Sequence, residues 1–233
     1  TMKDSIIASK SLRGGGLKQL SSFVFGHKNA FTLAEVLITL GIIGVVAAMT
    51  LPSVINKYRR NVVETRLAKF YSVMNQALAR AKSEKGELVF EQTDLTDSKY
   101  LESWYRDNIT KYIKTIYEEG SEKNNTYYKA IFIDGSGFNS YFSGTLPDGT
   151  PSLNNLYIFY CIDYKNCKNG HFDGINTFLF IGDIENSRIT TYGTKQSHEQ
   201  LTKDCANKSR NWGCSTLIMQ NGWKIPKDYP YLK

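Results

Sequence analysis

The hydrophobic pattern of the chain is dominated by one apolar stretch, at residues 31–55. It reads FTLAEVLITLGIIGVVAAMTLPSVI, in which a few threonines and one acid, Glu35, interrupt the apolar residues. With a rise of about 1.5 Å per residue, a helix of this length crosses a hydrocarbon layer of about 30 Å. A cleaved secretory signal usually has an apolar core of only about 7 to 15 residues. The stretch therefore predicts a membrane-spanning helix.

Beyond Pro52 the helical pattern continues but becomes one-sided. Apolar residues recur at steps of three and four, which is the spacing of one helix face. These residues are Val63, Leu67, Phe70, Met74, Ala77 or Leu78, and Ala81. The opposite face is mostly basic, and Gly86 is a typical residue after a helix end. The pattern predicts a single helix from Thr32 to about Lys85, with residues 56–86 packed on a globular head.

Residues 87–233 predict a head of mixed helix and strand. Apolar residues with helical spacing follow two capping candidates, Thr96 and Asp97, and predict one short helix. Its apolar positions are Leu101, Trp104, Tyr105, Ile109, Tyr112, Ile113 and Ile116. Segments rich in Tyr, Phe, Ile and Thr predict strands at residues 127–133, 156–162, 177–181 and 188–192, separated by Asp-Gly and Asn-Gly turns. We expect a small antiparallel sheet over the amphipathic helix, and an extended closing segment at residues 221–231 in which Trp223 is packed.

The charge of the chain is concentrated near its beginning. The formal net charge is +7, and residues 1–30, with five basic and one acidic side chain, contribute +4 of it. By the positive-inside rule, this segment is expected in the cytoplasm and the residues after 55 on the outer side. The remaining 203 residues carry only +3. That balance does not suggest a basic nucleic-acid-binding surface, so no nucleic-acid partner is expected.

The four cysteines are Cys161, Cys167, Cys205 and Cys214, and all lie on the predicted outer side, where thiols are oxidised. Four cysteines allow three pairings. Sequence proximity and their placement in strands and loops favour Cys161 with Cys167 and Cys205 with Cys214. A zinc site is the competing chemistry, but the sequence has no Cys-x-x-Cys pair and the histidines of the head are isolated.

One loop of the head combines four oxygen-bearing side chains. They belong to Asp163, Asn166, Asn169 and Asp173, in a segment that also contains glycine. Such a set could hold calcium, which prefers oxygen ligands, although the spacing is not that of an EF-hand. The alternative is that these residues form turns, because Asp and Asn side chains accept bonds from the backbone that follows them.

The start of the apolar stretch resembles a known processing motif. Glu35 lies one turn into the predicted span, where an ionisable side chain is a functional candidate by default. The sequence KNA at residues 28–30 is followed by FTLAEV at residues 31–36 and a long apolar helix. This arrangement is similar to the cleavage and methylation motif of type IV pilins and type II secretion pseudopilins.

The resemblance implies roles for individual residues. A prepilin peptidase would cut between Ala30 and Phe31, and the new amino group of Phe31 would be N-methylated. Glu35 would pair with the Phe31 ammonium of a neighbouring subunit during assembly, and Pro52 would kink the helix. The residue before the cut is usually Gly in this family, so the Ala30 of this chain implies slower processing.

The resemblance also implies the architecture. It is an α+β, type IV pilin-like fold, with a long bent N-terminal helix packed on a small antiparallel sheet. Residues 1–30 would be a cleaved cytoplasmic leader, 31–55 the membrane and filament-core helix, 56–86 its amphipathic continuation and 87–233 the head. The expected location is a bacterial inner membrane, crossed once with the head outside, and then a periplasmic or extracellular filament.

The function implied is that of a structural filament subunit and not of an enzyme. The expected partners are a prepilin peptidase, other pilin or pseudopilin subunits in a homo- or hetero-filament, and an inner-membrane assembly platform of a type II secretion or type IV pilus machine. The alternative is a non-assembling single-pass membrane protein with an extracellular ligand-binding head. Apart from the possible calcium ion, no cofactor is expected.

Overall fold

The computed structural model describes residues 31–88, 98–121, 127–142, 156–167, 172–183, 186–209 and 211–232. The chain divides into two compact units, Thr1–Ala47 and Ala48–Lys233. In the first unit the described residues belong almost entirely to the first part of a long helix. The second unit contains the rest of that helix and the head.

The long helix, α1, runs from Leu33 to Lys85 without interruption, as its apolar pattern predicts. Pro52 lies inside it, whereas the kink expected at Pro52 stays a prediction. At the C-terminal end, the Gly86 amide bonds to the Lys82 carbonyl at 2.9 Å. Gly86 has a φ of +86°, a left-handed conformation that glycine adopts easily, so it stops the helix where the sequence indicates.

The head is built on one antiparallel sheet of six strands, in the order β1-β2-β3-β4-β5-β6. The strands are Thr115–Ser121, Tyr127–Phe132, Gly137–Phe142, Leu156–Cys161, Thr177–Asp183 and Arg188–Thr191. In the described part of the head, three shorter α-helices accompany the sheet: α2 is Ser98–Asn108, α3 is His198–Ala206 and α4 is Cys214–Gln220. Each strand therefore pairs with the strands next to it along the chain, which makes the sheet a meander.

The core forms where the apolar stripe of α1 meets one face of the sheet. All the predicted stripe positions are buried: Val63, Leu67, Phe70, Met74, Ala77, Leu78 and Ala81. The Phe70 ring stacks on Tyr160 at a centroid distance of 4.1 Å and meets Phe180 edge-on at 5.1 Å. The neighbouring residues Phe159 and Leu179 belong to a second, smaller cluster, because successive side chains of a strand point to opposite faces.

The region after α2 departs from the predicted structure. Ile116 was expected on the short helix, but α2 ends at Asn108 and Ile116 lies in the edge strand β1. The spacing from Ile109 to Ile116 matches a helix by coincidence, since a short 3-10 turn at Thr110–Tyr112 redirects the chain. The register of β1 shifts between Thr115 and Tyr117, which leaves Ile116 at a bulge, 63% exposed. The capping candidates Thr96 and Asp97 lie outside the described residues.

Other elements were not predicted at all. Strand β3 has the sequence GFNSYF, whose polar residues hide its pairing, and α3 and α4 are only 9 and 7 residues long. The predicted closing segment at residues 221–231 is a series of turns and not an extended strand. Trp223 is packed as expected, with its ring 5.0 Å from that of Tyr71 on α1.

Replacing Phe70 with alanine should strongly destabilise the head. The ring is buried among four aromatic rings of the sheet, so Phe70→Ala is expected to lower the free energy of unfolding by about 3–5 kcal/mol. Denaturant unfolding of the full chain in detergent, followed by tryptophan fluorescence, measures the change. Thr65→Ala, at an exposed position of the same helix, is the control. Equal effects of the two substitutions would contradict the packing described.

Candidate functional site

The first turn of α1 contains a reciprocal hydrogen-bonded cap. Leu33 is the first helical residue, so Thr32 is the N-cap and Glu35 is the third residue of the helix. The Thr32 amide and hydroxyl both donate to Glu35 Oε2 at 2.8 Å, and the Glu35 amide donates to the Thr32 hydroxyl at 3.2 Å. This is a capping box, in which a threonine and a glutamate three residues later satisfy each other's backbone amides. Glu35 therefore has a local role in starting the helix.

The residues around the expected cleavage point lie at the edge of the described chain. Phe31 precedes the helix and its side chain is 85% exposed, while Ala30 lies outside the described residues. The Thr-x-x-Glu spacing that forms the cap is visible in the sequence. Our sequence reasoning assigned Glu35 only to assembly and missed this capping role.

In the part of the chain that the structure describes, the apolar part of α1 is exposed. Every residue from 31 to 59 is exposed, including the large apolar side chains up to Ile55. Among the described residues, Leu33–Lys85 is the helix long and apolar enough to cross a membrane, by length and composition alone. A core helix of a soluble protein would bury such a surface, whereas a segment near the N-terminus that enters a bilayer leaves it facing outward.

Two charged residues just beyond the apolar stretch hold the C-terminal segment against α1. The Arg60 guanidinium donates to the Ile225 carbonyl at 2.8 Å and to the Leu232 carbonyl at 2.5 Å. Glu64, only 8% exposed, accepts from the Ile225 amide at 3.0 Å and from the Lys224 ammonium at 2.9 Å. We call these bonds the C-terminal clamp. The sequence analysis described a mostly basic face opposite the stripe and missed the clamp, for which the sequence offers no signal.

A second pair of charged residues on α1 holds the turn between β2 and β3. Arg66 donates to the backbone carbonyls of Asp134, at 2.9 Å, and of Ile162. The Lys69 ammonium lies 2.9 Å from Asp134 Oδ2. Burial acts to raise the pKa of Asp134, but hydrogen bonds from Ser136 and the Lys69 ammonium outweigh it and hold that pKa at about 2. The turn is thus fixed to the helix by charge as well as by packing.

The cysteines form the two disulfides that the sequence favours. Cys161 is joined to Cys167, and Cys205 is joined to Cys214. The first bond closes the loop after β4, and the second links α3 to the start of α4. Among the described residues no cysteine is free. The pairing by sequence proximity is therefore confirmed.

The oxygen-rich loop is organised by bonds to its own backbone. Asp173 Oδ1 accepts the amides of Ile175, Asn176 and Thr177 at 2.7–2.9 Å. Asp163 accepts from the Lys165 amide at 3.1 Å and the Asn166 side chain at 2.7 Å. These are the bonds of Asx turns.

Sequence reasoning missed a further residue of this loop, Asn176. Its side chain links the two halves of the loop by accepting the Asp163 amide at 2.7 Å and donating to the Asp163 carbonyl at 3.0 Å. Asn169 lies outside the described residues. In the part of the chain that the structure describes, no group of three or more His, Cys, Asp or Glu residues could hold a metal ion. Calcium binding stays a prediction, and the turn interpretation explains the observed bonds.

Comparison with known families agrees with these features. A model of the prokaryotic N-terminal methylation motif matches residues 26–51, which include the predicted cleavage point, the cap and most of the apolar stretch. A second model, described as a family of unknown function (DUF6613), matches residues 53–232. The chain belongs to this family. No curated protein and no solved structure matches it.

The methylation motif identifies this DUF6613 chain as a prepilin of the type IV pilin and pseudopilin type. The architecture agrees, because a long N-terminal helix with an apolar beginning packs its later part on an antiparallel sheet. The motif ends where the DUF6613 region begins. A recognised processing motif is thus followed by a head that belongs to a family of unknown function.

The bonds of Asp134 to Lys69 and Ser136 should make the stability of this prepilin depend on acid pH. The pKa of Asp134 is lowered from its ordinary value of 3.8 to about 2 in the folded chain. Its stabilising contribution is complete above the ordinary value and is lost as the pH falls toward 2. Asp134→Asn has no proton to gain, so it should lose less stability than the unmodified chain between pH 4 and 2. Unfolding curves over that range test this, and parallel pH profiles would contradict it.

The disulfide between α3 and α4 should contribute measurably to stability. Its cysteines are 9 residues apart, and closing such a loop restricts the unfolded chain by about 2.5 kcal/mol. Cys205→Ser with Cys214→Ser should lower the free energy of unfolding by about that amount. The matched pair Cys161→Ser with Cys167→Ser opens a loop with a separation of 6 and should cost about 2 kcal/mol. Unchanged stability in both double variants would argue against the bonds.

Proposed function

We propose that this prepilin is the precursor of a structural filament subunit, cleaved before Phe31 and assembled by a type II secretion or type IV pilus machine. The observation that carries the proposal is the continuity of α1. One helix, Leu33–Lys85, begins in the methylation motif, presents an apolar surface on all sides, and then packs on the head. That arrangement suits a subunit that is held first by a membrane and later by neighbouring helices. It suits a structural role better than an enzymatic one.

The disulfides support placing the head on the outer side of the inner membrane. Disulfides persist in oxidising compartments such as the bacterial periplasm. Counted within twenty residues of the span, the basic residues do not support the orientation that the charge of residues 1–30 suggests. Twenty residues on the N-terminal side contain three basic residues, and twenty on the C-terminal side contain five. Large outer domains are translocated regardless of their charge, so the bias does not oppose this topology either.

Cleavage would change the partner that Glu35 requires. In the precursor, its carboxylate accepts from the Thr32 amide and hydroxyl. Cutting before Phe31 creates an ammonium group on Phe31, four residues away. In a filament core of low dielectric, the carboxylate of one subunit can neutralise that ammonium on another, and wrong alignments leave a buried charge unpaired. Such a head-to-tail contact generates an open filament and not a closed ring.

Cleavage and assembly each require a partner protein. A prepilin peptidase would recognise the leader and the residues around Ala30 and Phe31. An inner-membrane assembly platform would then move the subunit from the bilayer into contact with other pilin or pseudopilin subunits.

The first test is the N-terminal peptide of the protein from cells with and without prepilin peptidase. A peptide that starts at N-methylated Phe31, and depends on the peptidase, is the expected result. Intact-mass analysis of the membrane fraction checks that processing is complete in spite of Ala30. An uncut leader in both strains would overturn the proposal and leave a membrane-anchored protein that does not assemble.

Substitutions of Glu35 should separate processing from assembly. Gln can still accept a bond from the N-cap, so Glu35→Gln should preserve the helix start and cleavage before Phe31. It cannot neutralise an ammonium, so the yield of filaments should fall at least about tenfold. Glu35→Ala should lose both the cap and assembly. Glu87→Gln, at an exposed acid beyond α1, is the matched control, and normal assembly of Glu35→Gln would contradict the charge role.

A further inference from the structure

A short segment of α1 is neither part of the apolar stretch nor part of the head core. Ile55 ends the apolar stretch, and Val63, the first buried stripe residue, lies eight residues further along the helix. Lys57, Tyr58 and Arg59 lie in this interval and are all exposed, with the Tyr58 side chain 68% exposed. We call these three residues the basic girdle.

The girdle encircles the helix. Successive residues of an α-helix are about 100° apart, so three in a row point in three different directions. Arg60 occupies the remaining side, and its guanidinium is bound to the carbonyls of Ile225 and Leu232. A protein partner that docks on one face of the helix would contact only part of such a ring. A layer of lipid headgroups surrounds a membrane helix on every side.

The cations of the girdle are not neutralised within the described residues. No carboxylate there lies within ion-pair distance of Lys57 or Arg59. The nearest acid along the helix, Glu64, is bound to Lys224 and to the Ile225 amide. Two cations that have no ion pair among the described residues, and an exposed tyrosine, therefore follow directly after a surface that a bilayer or other apolar helices would cover.

The position of the girdle matches the depth of lipid headgroups. Eight positions of helix span about 12 Å. The polar layer on each side of a bilayer is about 5–8 Å thick, half the difference between a hydrocarbon core of about 30 Å and a total of about 40–45 Å. This step rests on the proposed function, in which residues 31–55 span the membrane. Tyr is a typical interfacial residue, and Lys and Arg attract anionic lipids.

We infer that the basic girdle binds the phosphate groups of anionic phospholipids in the outer leaflet of the inner membrane. The lysine ammonium and arginine guanidinium bind phosphate, and the Tyr58 ring lies among the headgroups. The girdle thus retains the membrane-anchored subunit until assembly removes it from the bilayer. Each basic residue near an anionic surface raises lipid affinity about fivefold, so the two together favour anionic over zwitterionic lipid by more than about tenfold.

Site-specific cross-linking of the full chain tests this inference. Tyr58 is replaced by the photoreactive benzoylphenylalanine, and the protein is reconstituted in vesicles of phosphatidylglycerol and phosphatidylcholine. Mass analysis of the adducts should show phosphatidylglycerol enriched several-fold over its bulk fraction. Lys57→Gln with Arg59→Gln should bring the ratio down to the bulk value. Arg80→Gln with Lys82→Gln removes the same charge from two exposed positions further along α1 and should leave the enrichment unchanged.

The other outcomes distinguish failure of the girdle from failure of the membrane span. Lipid adducts at the bulk ratio, or enrichment that survives removal of both girdle charges, would overturn the inference and leave the span intact. Adducts mainly to a second copy of the chain would make the girdle a subunit contact instead. If position 58 forms no adduct at all, as is expected for Ser83 about 37 Å further along the helix, the span itself is misplaced.

Discussion

The structure depends on one helix whose surface changes, within about two turns, from apolar on all sides to apolar along one stripe. Up to Ile55 the side chains of α1 are exposed and apolar on all sides, a surface that is unfavourable in water. From Val63 onward only one stripe is buried, and the other sides face solvent. Glu35, the one acid of the apolar part, is bound to the N-cap residue Thr32 at the beginning of the helix. The helix is thus continuous from Leu33 to Lys85, although its first part favours apolar surroundings and most sides of its second part favour water.

The head is held to this helix by two kinds of interaction with different roles. Burial of the apolar stripe against the sheet supplies most of the favourable free energy, but it is not directional. Direction comes from four polar residues beside the stripe. Arg60 and Glu64 bind the C-terminal segment, while Arg66 and Lys69 bind the turn after β2. Glu64 is buried, and a buried polar group without its partner is costly, so its bonds to the C-terminal segment disfavour other placements of the head along the stripe.

The sequence predicts the parts of this arrangement that are periodic. The apolar stretch, the stripe and four strands follow from spacing, because burial on one or all sides leaves a repeating pattern. Strand β3 and helix α4 are short or polar and leave no such pattern. The capping boxes of α3, Ser197 with Gln200, and of α1, Thr32 with Glu35, could also have been predicted, because in each a Ser or Thr is followed three residues later by Gln or Glu. The C-terminal clamp could not be predicted from the sequence, since Arg60 and Glu64 bond to residues 160 or more positions away.

The meander has a consequence for how the head can form in the proposed topology. The strands of the sheet lie in the order in which they leave the membrane during synthesis, so each can pair with the one before it as it emerges. The exception is the C-terminal segment, which returns to the beginning of the head at Arg60 and Glu64. Until it arrives, Glu64 lacks its partners and the membrane-proximal end of the core is open. The head thus closes only after this late segment has been made, and a subunit interrupted before residue 225 lacks the bonds that close it.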